Sequence, residues 1–567
     1  MWRKNIVTIL ILLAALDVAA QPPEELGLDE YEMERLSYYQ DRPLKINLAS
    51  SSSLRSCGML SAFQTESLID YRSRHGDIMS FAELSCVDGF SEETVRSLRP
   101  YISLEGGSVG QNKSGYKRIT NDLAMRGSLK FTDSSPVCSY SLKYRLGVGE
   151  SLTFALATSS FALEWKPVKV PVRVILGDYN SRFGQGLALW NGMSMTGLLT
   201  MSSFYRSAAG LSSSWSFTGS SAHTGVALEY SPSRFRLSAM LSLPELKTKG
   251  FGGCGILPAV NLGWYGRNMC LSMTHYLDVV TSSDRIPAYI SDMKTSADIS
   301  MCIRGVDAFS EVTFDWVNQA LAALAGTKLP VGEYARIAVH LRYYPSSYNS
   351  SRSAAPRTVS KCSNEYGASV CYEYSPMAKA FSCSVSLDSA FLPDAKSDGC
   401  ESIHTRLLAE GDIRISESVT LSLRLSERYR TWGRPFKTDI RADVSWSNPQ
   451  ISVTGRVNVL NYVSTGFLTF LEGGYKRDRF SVYLKQTFFV VDNWDDRIYS
   501  YERDAPGNFS VPAFYGRGVN TALMLSWKFT RWGKVYLKGT MTSYPFMEQE
   551  KKKSGSAGLR LQFIVSF

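Results

Sequence analysis

The stretch Leu559-Arg560-Leu561-Gln562-Phe563-Ile564-Val565-Ser566-Phe567 closes the chain. Leu559, Leu561, Phe563, Val565 and Phe567 stand against Arg560, Gln562, Ile564 and Ser566, so apolar residues fall at every second position. Successive side chains of a strand point to opposite faces, which makes this segment a strand with one apolar and one mainly polar face. The same alternation recurs upstream. Tyr140, Leu142, Tyr144 and Leu146 alternate with Ser141, Lys143 and Arg145, and Val419, Leu421, Leu423 and Leu425 with Thr420, Ser422, Arg424 and Ser426. Ile451, Val453, Val457 and Val459 share a face, and Val535, Leu537 and Met541 oppose Tyr536, Lys538, Thr540 and Thr542. At roughly 20–25 residues per strand and turn, residues 117–567 hold about 18–24 strands.

The 567 residues are 44% apolar, 12% aromatic and 20% charged, too apolar for a disordered chain. The only long apolar run, Ile6–Leu16, is far shorter than the roughly 20 residues that a spanning helix needs. Following Arg3 and Lys4 and preceding Val18-Ala19-Ala20, it reads as a signal peptide over residues 1–20. Removing Arg3, Lys4 and Asp17 takes away +1, leaving +9 of the formal +10. An export signal, alternating strands, aromatics near strand ends (Trp165, Tyr230, Trp316, Tyr343, Tyr374, Trp446 and Tyr544) and a terminal Phe567 together predict a mainly β protein. Its expected form is a large antiparallel transmembrane β-barrel embedded in outer-membrane lipid. The ending Phe563, Val565, Phe567 resembles the C-terminal signature of Gram-negative outer-membrane barrels, which implies the barrel assembly machinery as a partner.

Ahead of the barrel, residues 21–43 are acidic and helix-compatible. Residues 44–105 space their apolar positions three and four apart (Leu60, Phe63, Leu68, Ile69; Phe81, Leu84, Val87; Val95, Leu98), and 106–116 is a Gly/Ser linker. On Ile46-Asn47-Leu48, Ile69, Tyr71-Arg72, Gly76, Phe81, Leu84, Gly89 and Leu98-Arg99-Pro100-Tyr101-Ile102, this module resembles the tandem helix-hairpin-helix domain of ComEA-like competence proteins. The whole arrangement resembles Bacteroidetes-type exported proteins. The resemblance implies a periplasmic all-α domain whose Gly-x-Gly turns hold DNA phosphate. The matching turns are Met59-Leu60-Ser61 and Gly89-Phe90-Ser91, with three of the four glycines missing. Residues 41–105 carry seven basic and nine acidic side chains, net −2, a poor footprint for DNA. Any phosphate contact would fall to Gly89, Phe90, Ser91, Arg96 and Arg99. A periplasmic protein partner is the preferred expectation, with DNA possible but not favoured.

If the apolar faces meet lipid, the alternate residues line the lumen. Lys143, Arg145, Arg173, Arg236, Arg336, His340, Arg342, Arg424, Arg441, Arg456, Lys485, Lys538 and Arg560 then face inward, against fewer acids: Glu164, Glu229, Asp298, Asp315, Glu373 and Asp443. Such a lumen is either a path for an anion or a set of salt-bridge ladders that holds the barrel's shape. Two islands break the alternation: Gly177-Asp178-Tyr179 with Arg182-Phe183-Gly184-Gln185-Gly186-Leu187, and Tyr501-Glu502-Arg503-Asp504-Ala505-Pro506-Gly507. They read as contact sites near the lumen or as glycine-demanding turns.

The ten cysteines lack any CxxC pair; Cys57 with Cys86 or Cys362 with Cys371 could bridge, or the thiols could be apolar fillers. No HExxH, GxSxG, P-loop or dinucleotide fingerprint is present, so no metal, cofactor or catalytic residue is named. The expected function is a non-enzymatic barrel serving as channel, uptake or assembly component. DNA uptake through the helical module and an outer-membrane enzyme are the other readings.

Overall fold

The computed structural model describes residues 39–40, 42–49, 53–54, 57, 59–60, 62–90, 92–105, 119–131, 136–149, 151–167, 170–191, 199–206, 208–217, 222–243, 255–280, 289–359, 361–376, 380–394, 402–508, 510–546 and 554–567. The expected signal peptide and linker lie outside them.

From Ile119 the chain forms one closed antiparallel sheet, running in chain order from β3 (Ile119–Phe131) to β29 (Ser556–Ser566). The last strand closes on the first, from Ala557 opposite Phe131 to Ser566 opposite Asp122. The wall has 24 strands. A further short strand, β8 (Gly210–Ser213), pairs with the end of β7 (Val172–Arg182), while β7 itself pairs directly with β9 (His223–Tyr230). An even number lets first and last strands meet antiparallel.

The period-2 pattern sorts the faces. Leu142, Leu176, Leu262, Leu321, Leu423, Ile440, Leu471 and Leu484 stand exposed on the outside, while Arg173, Asn261, Glu311, Arg342, Asp388 and Asn520 are buried inside. The outer face ends in aromatics at both rims: Trp165, Tyr230, Phe235, Phe480 and Trp527 at one, Phe131, Tyr289, Trp316, Tyr343, Phe436 and Phe488 at the other. Tyr544 departs from its expected girdle position and packs inward on Phe489, with ring centroids 5.9 Å apart.

The two rims differ. One carries the start of β3, the end of β29 and connections of two to six residues, such as 304–305, 448–450 and 375–380. The other carries the long connections 183–222, 345–364 and 492–515.

The module ahead of the barrel contains, among the described residues, three helices: α1 (Ala62–His75), α2 (Phe81–Leu84) and α3 (Glu92–Leu98). They enclose a core of Ile46, Leu54, Leu68, Ile78, Leu84, Val87, Phe90, Val95 and Ile102. β1 (Leu44–Lys45) pairs in parallel with β2 (Ile102–Ser103) and ties the two ends together. Buried Asn47 pins the centre: its side-chain amide donates to the carbonyls of Ile78 and Leu104 (both 2.9 Å) and its oxygen accepts from Ile78 N–H (2.9 Å).

The tandem helix-hairpin-helix resemblance fails here. Two hairpins need four helices, and of the three described, α2 is a single turn of four residues. Gly89 (φ +84°) serves packing instead of phosphate: a Cβ there would sit 2.7 Å from the Phe63 ring, and its carbonyl accepts from Gln64 (2.8 Å). Phe90 is buried in the core, Arg99 lies over the Phe81 ring, Arg96 sits on α3, and Ser91 falls outside the described residues. The ComEA-like and DNA-binding expectations are withdrawn with the fold that implied them.

Neither of the two bridges left open by the sequence forms. Cys57, Cys86, Cys138, Cys270, Cys302, Cys362, Cys371 and Cys383 are not disulfide-bonded, and Cys254 and Cys400 lie outside the described residues.

Candidate functional site

Twenty-four strands about 4.8 Å apart and tilted about 40° enclose a ring roughly 45–50 Å across, whereas about eight strands is the limit that wall side chains alone can fill. This lumen is filled by the chain's own long connections.

The first filler is 183–222. Gly184 (φ +58°) and Gly186 (φ +90°) curl the backbone so that successive N–H groups converge. Glu311, on β14 (Val306–Asp315), accepts them: Gln185 N–H at 2.7 Å and Leu187 N–H at 3.1 Å on one oxygen, Ala188 N–H at 3.2 Å on the other, with the Ser296 hydroxyl at 2.7 Å. Further along, a 3-10 helix, Met201–Phe204, puts Phe204 against the buried imidazole of His340 on β16 (Ala335–Tyr344).

The second filler, 345–364, locks onto the first and onto the wall. Tyr348 donates to the Leu187 carbonyl (2.8 Å), Ala354 N–H to the Gly186 carbonyl (2.9 Å) and Trp190 N–H to the Arg352 carbonyl (3.1 Å). Arg352 pairs with Asp278 at 2.7 Å. Beneath them Arg342, 0% exposed, bonds Glu365 and Thr358, and reaches Ser369 at 2.8 Å and Asp388 at 2.6 Å.

The third filler, 492–515, brings in acids. Glu502 meets Lys538 (3.1 Å) and accepts from Asn520 (2.8 Å); Asp504 meets Lys538 (3.3 Å) and Arg560. Lys485 donates to Ser500 (2.8 Å) and to the Tyr501 carbonyl. Inside this connection β25 (Ile498–Tyr499) and β26 (Ala513–Phe514) form a small ribbon, and Phe514 packs on Phe489.

The helical module covers the short-turn rim. Arg42 reaches Asp122 on β3 through two bonds (2.9 and 2.5 Å), Lys166 donates to Ser53 (2.6 Å), and Arg267 meets Asp88 at 3.3 Å. Leu60 and Thr65 face Gln185, Arg206, Arg236 and Asp298 across a cavity of about 40 Å³.

The remaining lumen candidates sort by partner. Arg173 pairs with Glu164 (3.2 Å), Arg336 with Glu373 (3.2 Å), Arg424 with Glu410 (3.4 Å), and Arg441 and Arg456 share Asp443 (3.1 and 2.6 Å). Lys143 has aromatic company, 4.4 Å from the Trp215 ring and 4.3 Å from Phe217; Arg145 lies over Trp215 and Arg236 over Tyr265. Lys538 and Arg560 find their carboxylates, Glu502 and Asp504, on a loop and not on the wall. Glu311 escaped the reading. Its signal was the acid stripe Asp307, Glu311, Asp315 on the inward face of β14. Phe563 and Phe567 point outward and exposed, and Phe567 exchanges backbone bonds with Asn121 (2.7 and 2.9 Å) at the closing seam. Among the described residues no group of three His, Cys, Asp or Glu side chains could hold a metal ion.

No known family model matches this sequence, and comparison with curated proteins gives no match. Solved structures with a similar barrel include the siderophore receptor PirA from Acinetobacter baumannii, at 7% identity and TM-score 0.43 over 80% of this chain and 81% of that one. The P pilus usher (PapC) translocation pore gives 10% and 0.38 over 79% and 99%, and the copper transporter OprC 10% and 0.38 over 78% and 80%. Likeness this low carries no functional argument; the reading below rests on the geometry.

Proposed function

We propose that the chain is an integral outer-membrane β-barrel that works as a gated passage for solutes, without enzymatic activity. The exposed apolar belt and its two aromatic rims match a bilayer's core and interfaces, and soluble proteins do not expose such a continuous surface. Short turns at one rim and long connections at the other support a periplasmic side for the termini and the helical module. The observation that carries the gating is the unequal strength of the two closures. Arg342, Glu365 and Asp388 are wholly buried, and removing one member of such a set costs about 3–5 kcal/mol. At the module, Arg42 and Asp122 are 31% and 10% exposed, and Arg267 and Asp88 are 56% and 65% exposed; exposed pairs like the latter give about 0–1 kcal/mol and weaken with salt. The module is the part that comes away first. The partners this implies are membrane lipid, the assembly machinery that reads the last strand, and a periplasmic protein that draws the module off the rim.

Cell fractionation with surface labelling tests the placement. The chain should be recovered in the outer membrane, released only by detergent, with a tag in connection 316–319 labelled on intact cells and a tag before residue 39 protected. Recovery as a soluble protein would sink the proposal.

A further inference from the structure

Near the long-loop rim, three adjacent strands place cations side by side on the lumen face. They are β19 (Ser402–Arg414), β20 (Val419–Arg430) and β21 (Phe436–Ser447). Arg406 is directly opposite Arg428, and Arg428 directly opposite Lys437; one step further out Arg430 faces His404. Directly opposed side chains start about 5 Å apart, and like charges so placed repel.

The nearby carboxylates do not relieve the row. Asp388 takes Arg342 (2.6 Å) as well as Arg406 (3.1 Å), Asp439 accepts from Asn458 (2.7 Å), and Asp496 is used by Val463 and Ser464 N–H (both 2.8 Å). Among the described residues Arg428 and Arg430 form no ion pair. Arg428 lies 4.9 Å over the Tyr462 ring with its Nε buried and unbonded. Arg430 lies 5.5 Å over Trp432 and its Nε reaches only His404 Nε2, at 3.4 Å. Lys437 donates to the Asp495 carbonyl (3.0 Å) and stands 5.4 Å from the Tyr462 ring. All four cations are partly open to the lumen. Elsewhere in the lumen, Arg173, Arg336, Arg342, Arg424, Arg441, Arg456, Lys538 and Arg560 each have a carboxylate.

We propose that Arg406, Arg428, Arg430 and Lys437 form a binding site for a small solute carrying two oxyanion groups, of the diphosphate class. Three cations in steps of about 5 Å span roughly 10 Å, room for two linked oxyanions, and guanidinium forks pair with such groups through two bonds each. The row faces the lumen and not the lipid, so the ligand is a dissolved species and not a membrane headgroup. Only the side from which it arrives rests on the outer-membrane reading.

Calorimetric titration of inorganic pyrophosphate into the full chain in detergent, at low ionic strength, tests the site. Wild type should bind one pyrophosphate per chain. Arg428→Gln and Arg430→Gln should each weaken binding at least tenfold, while Arg234→Gln, on a turn at the opposite rim, leaves it unchanged. Relieving the like-charge contact should also raise the ligand-free melting temperature of Arg428→Gln, and pyrophosphate should no longer raise it further. Arg428→Lys, which keeps the charge, should retain partial binding and guards against misfolding as the cause of loss. No binding by wild type, or equal binding by the glutamine variants, overturns the site and leaves the membrane and gating readings standing.

Discussion

Gly184 and Glu311 show how one residue decides where a loop goes. A Cβ at Gly184 would lie 2.8 Å from the Glu311 carboxylate, and φ of +58° already disfavours any other residue. Gly184→Ala should therefore cost about 1–3 kcal/mol, read as a lower melting temperature and faster proteolysis within 183–209. Glu311→Gln should do the same by leaving buried N–H groups with a weaker acceptor. The glycines were legible as an island that breaks the strand period; the acid they meet was not, because it lies 126 residues away from Gln185 in sequence. In the helical module, Glu83 has its pKa lowered, first by the Met79 N–H (2.8 Å) and then by the Tyr71 hydroxyl (3.0 Å). A lowered carboxylate pKa means that its contribution is complete above the unfolded value and is lost as pH falls through the folded one. Corrected for intrinsic rates, amide exchange at Met79 should accelerate below about pH 4.3, the ordinary Glu value, and Glu83→Gln should flatten that dependence.

At the scale of elements, the strands were readable, and of their connections only the two islands at 183–187 and 501–507 stood out. The two-residue period survives folding because each face has one solvent, lipid outside and packed polar groups inside. The connections 183–222, 345–364 and 492–515 have no period to read, although they supply the interior. The helices fared worse. Apolar spacing over 81–98 looks helical throughout, yet α2 stops at Leu84 after one turn capped by Ser80, and the glycine turn that resembled a phosphate cradle packs on α1. The loop-borne acids give the sharpest test here. In the double variant Glu502→Gln, Asp504→Asn, Lys538 and Arg560 lose their carboxylates while staying in a partly buried lumen. Connection 492–515 should become protease-sensitive and the lumen more anion-selective, with the barrel itself still heat-resistant.

For the whole molecule, ring size sets the problem: a wall of 24 strands must either conduct or be filled from within. This chain fills it with buried ion pairs and covers the rim with a module held by the part-buried Arg42–Asp122 pair and the exposed Arg267–Asp88 pair. High salt, or Arg42→Ala, should therefore free the module without melting the barrel, measured as exchange of the amides along α1. Single-channel recording in planar bilayers addresses the central claim most directly, with the full chain compared against a variant in which connection 492–515 is replaced by a short Gly/Ser turn. The full chain should be closed or open only in brief events, and the variant should show long-lived, much larger conductance. A full chain that is continuously open at the variant's conductance would contradict the account.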